Sequence, residues 1–99
     1  MRHSLRAGTL TVYLEGELDH HSAEPMRKSI DDIVDDKKPN SLVLDLSALS
    51  FMDSAGIGLI IGRYRHMTHK GGKMYVAKPP RRIDQLLNMS GIYKIAKKI

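Results

Sequence analysis

Hydrophobic and polar residues alternate near the start of the chain. In the stretch TLTVYLEG, Leu10, Val12 and Leu14 occupy every second position. This period is typical of a strand with one buried face. Gly8 directly precedes the stretch and favours a tight turn that joins it to a shorter strand over residues 2–6.

The hydrophobic spacing becomes helical after Gly16. Within SAEPMRKSIDDIVDD, apolar residues recur at intervals of three and four, at Met26, Ile30, Ile33 and Val34. Ser22 is placed to cap this helix, and Pro25 is tolerated because it falls in the first turn. The sequence therefore predicts an amphipathic helix, which the stretch KKPN ends.

Strands and helices continue to alternate in the rest of the chain. SLVLDL, at 41–46, has almost no polar residue, as expected of a strand covered on both faces. A helix is predicted from Ser54 to His69, with Gly71 and Gly72 as its stop. The stretch KMYVAK then predicts another strand.

The last third of the chain predicts one more helix. RRIDQLLNMSG has helical spacing and ends at Gly91, whereas the tail IYKIAKKI fits either an edge strand or a short helix. Strands that alternate with helices are typical of crossover connections. We therefore predict an α/β fold, a small mixed β-sheet with helices packed on it.

Length and composition narrow the class of protein. The chain has 99 residues, of which 41% are hydrophobic and 27% charged, so we expect a single globular domain over 1–99. There is no cysteine, which excludes disulfides, thiolate catalysis and cysteine-ligated zinc. The sequence contains neither an apolar run of membrane-spanning length nor the apolar block of a signal peptide. We expect a soluble cytoplasmic protein without membrane insertion.

The net charge of +5 raises the question of an acidic partner or nucleic acid. The basic residues are spread along the chain. Its only aromatic residues of the Phe, Tyr and Trp types are four tyrosines and one phenylalanine, so no platform for stacking nucleic-acid bases is predicted. Nucleic-acid binding rests on charge alone and would show steep salt dependence. We therefore expect no direct nucleic-acid partner.

The segment SFMDSAGIGLIIGRY holds glycines inside an apolar helix, although each costs about 1 kcal/mol relative to alanine. A core stripe is predicted from Ile57, Ile60, Ile61, Tyr64 and Met67. Ser54, Gly58 and Gly62 follow each other at intervals of four and form a separate stripe of small residues. Either another part of the same domain packs against this stripe, or a partner protein lies along it.

Ser54 has two interpretations. Serine is a good helix N-cap, worth roughly 1 kcal/mol. A hydroxyl on a strand-to-helix turn is also exposed, and a phosphate there would lie at the positive end of the helix dipole. Because Asp53 is adjacent, this added negative charge would disfavour a close-fitting interface. We therefore predict that phosphorylation of Ser54 switches binding off without unfolding the protein.

Catalysis is not predicted. DSAG lacks the first glycine of the G-x-S-x-G nucleophile motif, and no triad partner can be assigned by spacing. The five histidines show no metal-ligand spacing of the H-E-x-x-H kind. We expect neither an enzyme nor a metal or cofactor site.

Three motifs in register carry a family resemblance that spans nearly the whole chain: GELDHHSAE at 16–24, LSFMDSAGIGLIIGRYRHM at 49–67 and NMSGIYKI at 88–95. They resemble the STAS-domain anti-sigma factor antagonists, most closely the sporulation type. The resemblance implies that Ser54 is phosphorylated by the cognate anti-sigma factor, a GHKL-type serine kinase that uses ATP. It also implies that the unphosphorylated protein binds the nucleotide-loaded kinase, ATP- or ADP-bound, and releases the sigma factor, and that a PP2C-type phosphatase restores the serine.

The same resemblance implies that the loop Asp19–His21 lies beside Ser54 and shares the partner surface. A STAS module in a general stress-signalling or scaffold complex is the alternative role. The predicted partner-binding residues are Asp19, His20, His21, Asp53, Ser54, Ala55, Gly56, Gly58 and Gly62.

Overall fold

The computed structural model describes residues 1–99 and contains one five-stranded mixed sheet. The strands are β1 (His3–Arg6), β2 (Thr9–Leu18), β3 (Ser41–Met52), β4 (Lys73–Ala77) and β5 (Lys97–Lys98), adjacent in that order. β1 and β2 form an antiparallel hairpin, and every other neighbouring pair is parallel. The tail, for which the sequence left two possibilities, forms a single 3-10 turn at Ile92–Lys94 followed by β5.

Three helices connect the parallel strands: α1 (Ala23–Lys37), α2 (Ser54–His69) and α3 (Arg81–Ser90). Their apolar faces meet one face of the sheet in a single hydrophobic core, which contains Leu10 and Leu42 on paired positions of β2 and β3. The predicted α/β class, and all three predicted helices, are confirmed. No helix combines the length and the apolar character that a membrane crossing requires.

β3 is twice as long as predicted, because it continues beyond residue 46 to Met52. β2 also continues to Leu18 and pairs with this second half of β3. Two register irregularities interrupt the pairing, between Tyr13 and Glu15 and between Gly16 and Glu17. Such irregularities break the alternation of buried and exposed residues, which is why the sequence pattern does not show this part of the strand.

The buried face of α2 is wider than the predicted stripe. Ile60 and Met67 are fully buried, and Ile57, Ile61 and Tyr64 are half-buried against the core. Leu59 and Arg63 are buried as well, although the stripe did not include them. The reason is that α2 contacts α1 in addition to β3 and β4, so a second side of the helix is covered.

Candidate functional site

The carboxyl ends of β2 and β3 lie side by side. Leu18 pairs with Met52, and the backbone N–H of Asp53 donates to the carbonyl oxygen of Leu18 at 3.2 Å. Because parallel strands end at the same edge of a sheet, the loop after β2 meets the turn that begins α2. This geometry brings Asp19 and Ser54, which are distant in sequence, to one edge.

The loop after β2 is held by a reciprocal pair of side-chain hydrogen bonds. Asp19 Oδ1 accepts from the backbone N–H groups of His21 and Ser22, at 2.9 and 3.0 Å. Ser22 Oγ accepts from the Asp19 N–H at 3.0 Å and donates to the Glu17 carbonyl at 2.7 Å. The N–H groups of Ser22 and His21 hold the pKa of the Asp19 carboxyl below its usual value, against the opposing effect of partial burial.

Ser22 therefore stands at the predicted N-cap position of α1, but its hydroxyl serves the loop and makes no cap hydrogen bond to the helix. His20 and His21 are exposed beside it, with ring centroids 4.0 Å apart. No group of three histidine, aspartate or glutamate side chains is arranged to hold a metal ion. The two rings thus present exposed polar surface next to the start of α2.

Asp53, not Ser54, caps α2. Its backbone is extended, and its Oδ1 accepts from the Ala55 N–H at 2.8 Å. Ser54 is consequently the first helical residue, and its side chain is exposed and makes no hydrogen bond within the protein. The alternative in which the serine is needed as the cap is wrong, since the neighbouring carboxylate performs that task and leaves the hydroxyl free.

The small-residue stripe is open. An added Cβ at Gly58 or Gly62 would have no neighbouring atom within 4 Å. The alternative in which another part of the domain packs on these two glycines is therefore wrong. Gly56 differs, because it is buried and an added Cβ would lie 2.7 Å from Met52 Sδ and 3.2 Å from Leu18 Cδ2. Contrary to prediction, Gly56 does not belong to the exposed surface. Its lack of a side chain leaves room for the core side chains of Met52 and Leu18 beneath α2.

A groove of about 220 Å³ runs between α1 and α2 beside the open stripe. Its lining is formed by Ala23, Glu24, Arg27, Gly58, Leu59, Gly62 and Arg63. The open stripe thus forms one wall of a groove whose other wall belongs to α1.

Charged side chains connect the two walls. Arg27 is hydrogen-bonded to Glu24 and reaches Asp31 at 3.1 Å, while Arg63 Nε lies 2.8 Å from Asp31 Oδ1. The hydrogen bond that Arg27 donates to the carboxylate of Glu24 raises the pKa of Arg27, whereas burial lowers the pKa of Arg63 despite the nearby carboxylate of Asp31. Arg27 is therefore held by hydrogen bonds at the groove, whereas Arg63 lies close to Asp31 but its Nε makes no hydrogen bond.

Sequence reasoning missed this cluster. The signals present were the spacing of four between Arg27 and Asp31, which is typical of helical ion pairs, and a lone arginine inside the apolar run LIIGRY. A charge in an otherwise apolar helix face requires a partner, and the partner belongs to another helix.

The sequence profile of the STAS domain family matches residues 4–99. The anti-sigma F factor antagonist of Paenibacillus polymyxa is 43% identical over 88 residues, which are 89% of this chain and 75% of that protein. The structure of the anti-sigma factor antagonist SpoIIAA in its unphosphorylated form has a TM-score of 0.82 and 27% identity, and the match covers 99% of this chain and 86% of that one. The structure of the Bacillus cell fate determinant SpoIIAA in the phosphorylated form has a TM-score of 0.73 and 27% identity, and the match covers 99% of this chain and 89% of that one.

Proposed function

This chain belongs to the STAS domain family and within it to the anti-sigma factor antagonists, and from this premise we propose a phosphorylation-controlled binding function. The unphosphorylated protein binds its cognate anti-sigma factor, a serine kinase, and thereby releases the sigma factor. Phosphorylation of Ser54 ends the binding. The observation that carries this proposal is the free, exposed hydroxyl of Ser54 at the start of α2, beside an open stripe of glycine.

The proposed contact surface combines the loop after β2 with the start of α2, which meet at one edge of the sheet. Asp19, His20 and His21 supply exposed polar groups from the loop after β2, and Asp53, Ser54 and Ala55 form the turn next to them. Gly58 and Gly62 extend the surface along α2, where backbone without side chains allows a partner segment to approach closely. The surface is continuous because the Asp53–Leu18 hydrogen bond joins its two halves.

A phosphate on Ser54 changes this surface without needing to move it. It adds about −1.5 to −2 charges at pH 7 next to the carboxylates of Asp53 and Asp19. A partner that docks on the bare hydroxyl would have to desolvate all three anions, which disfavours association. The similarity to SpoIIAA, of which both an unphosphorylated and a phosphorylated structure exist, supports a switch of this kind.

In the proposed cycle this chain is a substrate and not an enzyme. Ser54 Oγ attacks the γ-phosphorus of ATP bound to the anti-sigma factor, its proton is lost, and ADP leaves. A PP2C-type phosphatase then hydrolyses the phosphoserine, which regenerates the hydroxyl and inorganic phosphate. The 43% identity to an anti-sigma F factor antagonist supports a role in sporulation, and hence a place in the cytoplasm with the transcription machinery.

The test is to incubate the protein with its cognate anti-sigma factor and ATP and to follow phosphorylation by mass spectrometry. One phosphoryl group should be added, and Ser54→Ala should prevent its addition while still binding tightly in the presence of ADP. Ser50→Ala is the matched control, since Ser50 is an exposed serine four residues away, and it should be phosphorylated normally. Ser54→Asp should bind weakly; equal affinity of the Ala and Asp variants would overturn the switch.

A further inference from the structure

Arg63 is a nearly buried cation with unused hydrogen-bond donors. Only 7% of its surface is exposed, and its single ionic contact is between Nε and Asp31 Oδ1 at 2.8 Å. Its two Nη nitrogens donate no hydrogen bond within the protein, and unlike Nε they are not fully buried. The residue lines the groove between α1 and α2 next to Gly62, so these donors face a space that the protein leaves open.

Arg63 Nε and Asp31 Oδ1 are also buried and make no hydrogen bond, although they lie only 2.8 Å apart. A guanidinium group carries five N–H donors and stays charged, and buried donors without acceptors are costly. Arg27, on the other wall, differs because it is bonded to both Glu24 and Asp31. Arg63 therefore lacks an acceptor that its neighbour has.

The placement of the carboxylates around the groove indicates what that acceptor is. Arg27 and Arg63 share one largely buried carboxylate, that of Asp31, whose side chain is 15% exposed. The other acid, Glu24, is 72% exposed at the rim. The two arginines are matched by two carboxylates in number, but Glu24 contacts only Arg27, and Asp31 makes no hydrogen bond to Arg63. The Nη groups of Arg63 are therefore cationic donors at the groove that no carboxylate of the protein engages, and a further carboxylate would engage them.

We propose that the groove between α1 and α2 receives an aspartate or glutamate side chain of the anti-sigma factor, bound by the Nη groups of Arg63. This inference rests on the proposed function and specifies the chemistry of its partner. The planar guanidinium matches a carboxylate with two parallel hydrogen bonds. Gly58 and Gly62 leave the space through which the partner's backbone brings this side chain to the groove.

The test uses a double variant, because removing Arg63 alone would leave Asp31 buried without its full complement of partners. Asp31→Asn with Arg63→Met removes one charge of each sign and keeps the net charge. We expect its affinity for the anti-sigma factor to fall by about 30-fold or more, the usual loss for a buried charged contact. Arg65→Gln removes an exposed arginine of the same helix outside the groove and should leave affinity within about twofold.

A second variant distinguishes loss of the proposed contact from misfolding. Arg63→Lys keeps the charge beside Asp31 but loses both Nη donors, so it should also bind more weakly while the melting temperature is retained. Wild-type affinity in both the double variant and Arg63→Lys would overturn the inference.

A double-mutant cycle identifies the partner's group. Each acidic residue on the anti-sigma factor surface is changed to its amide and measured against wild type and the double variant. One acid should weaken binding to wild type but not to the double variant. If no acid couples with Arg63, the acceptor is not a carboxylate and the inference fails. Failure of wild type to bind any anti-sigma factor would instead refute the proposed function itself.

Discussion

The backbone N–H of Asp53 donates to the carbonyl oxygen of Leu18 at 3.2 Å, and this bond joins the ends of two parallel strands at the start of α2. On one side of it the Asp19 loop is braced by its bonds with Ser22. On the other side Asp53 caps the helix. Ser54 therefore projects from a turn whose backbone is held at both ends, and chemical change at its hydroxyl can alter the surface while the fold stays intact.

Gly62→Leu tests whether a partner lies along the open stripe. The added side chain meets no atom of the protein near its Cβ and would extend into the groove beside Arg63. Since leucine is a better helix former, the variant should be more stable by about 0.5–1 kcal/mol. Binding to the anti-sigma factor should nevertheless be lost, as measured by titration calorimetry next to a thermal melt.

Gly56→Ala is the matched control on the same helix. Its Cβ would lie 2.7 Å from Met52 Sδ, so the core has to shift, at a cost of about 1–3 kcal/mol that exceeds the gain in helix propensity. The variant should melt at a lower temperature than wild type. Wild-type affinity in Gly62→Leu would contradict a partner along the open stripe, and a higher melting temperature in Gly56→Ala would contradict the packing of core side chains against Gly56.

Much of this arrangement could be predicted from the sequence, and the limits have physical causes. The start of α2 and the exposed stripe follow from hydrophobic spacing, which is local. The choice between Asp53 and Ser54 as the cap is decided by the extended backbone at Asp53, and both residue types are good caps. The ion pair between Asp31 and Arg63 depends on how α1 packs against α2, and no local pattern contains that information.

Asp53→Ala tests the cap. The variant loses the acceptor for the Ala55 N–H, and this should lower the free energy of unfolding by about 1 kcal/mol in urea titrations. Asp53→Ser should restore most of it, since a serine hydroxyl can accept the same hydrogen bond. Ser54→Ala should change stability by less than about 0.5 kcal/mol, because that hydroxyl has no partner within the protein. A larger decrease in the free energy of unfolding for Ser54→Ala than for Asp53→Ala would contradict the assignment of Asp53 as the cap.

Asp19 should make stability dependent on acid pH. The N–H groups of Ser22 and His21 keep its pKa in the folded protein below the unfolded value of about 3.9. Its contribution to stability is therefore complete above that unfolded value and is lost as the pH falls towards the folded pKa. Asp19→Asn keeps an oxygen acceptor but cannot titrate, so its stability should fall less steeply than wild type between pH 5 and pH 3, an interval of about one unit on each side of that value. If the urea midpoints of the two proteins changed with pH by the same amount across this interval, the prediction would be contradicted. An NMR titration of the Asp19 carboxyl would show the lowered pKa directly.

Phosphorylation of Ser54 should leave the fold stable while it abolishes binding. The phosphate would lie at the first residue of α2, where the helix dipole favours an anion by about 0.3–1 kcal/mol. The adjacent carboxylate of Asp53 repels it, and at an exposed site this repulsion is of similar size and opposite sign.

The phosphorylated protein should therefore keep its far-UV circular dichroism and a free energy of unfolding within about 1 kcal/mol of the unmodified protein. Ser54→Asp, which carries less charge, should show the same stability and can be measured in parallel. Added salt weakens attraction and repulsion together, so the difference between the two forms should stay small as ionic strength rises. A loss of several kcal/mol on phosphorylation would mean that binding is ended by unfolding of α2, and the account of a switch confined to the surface would be wrong.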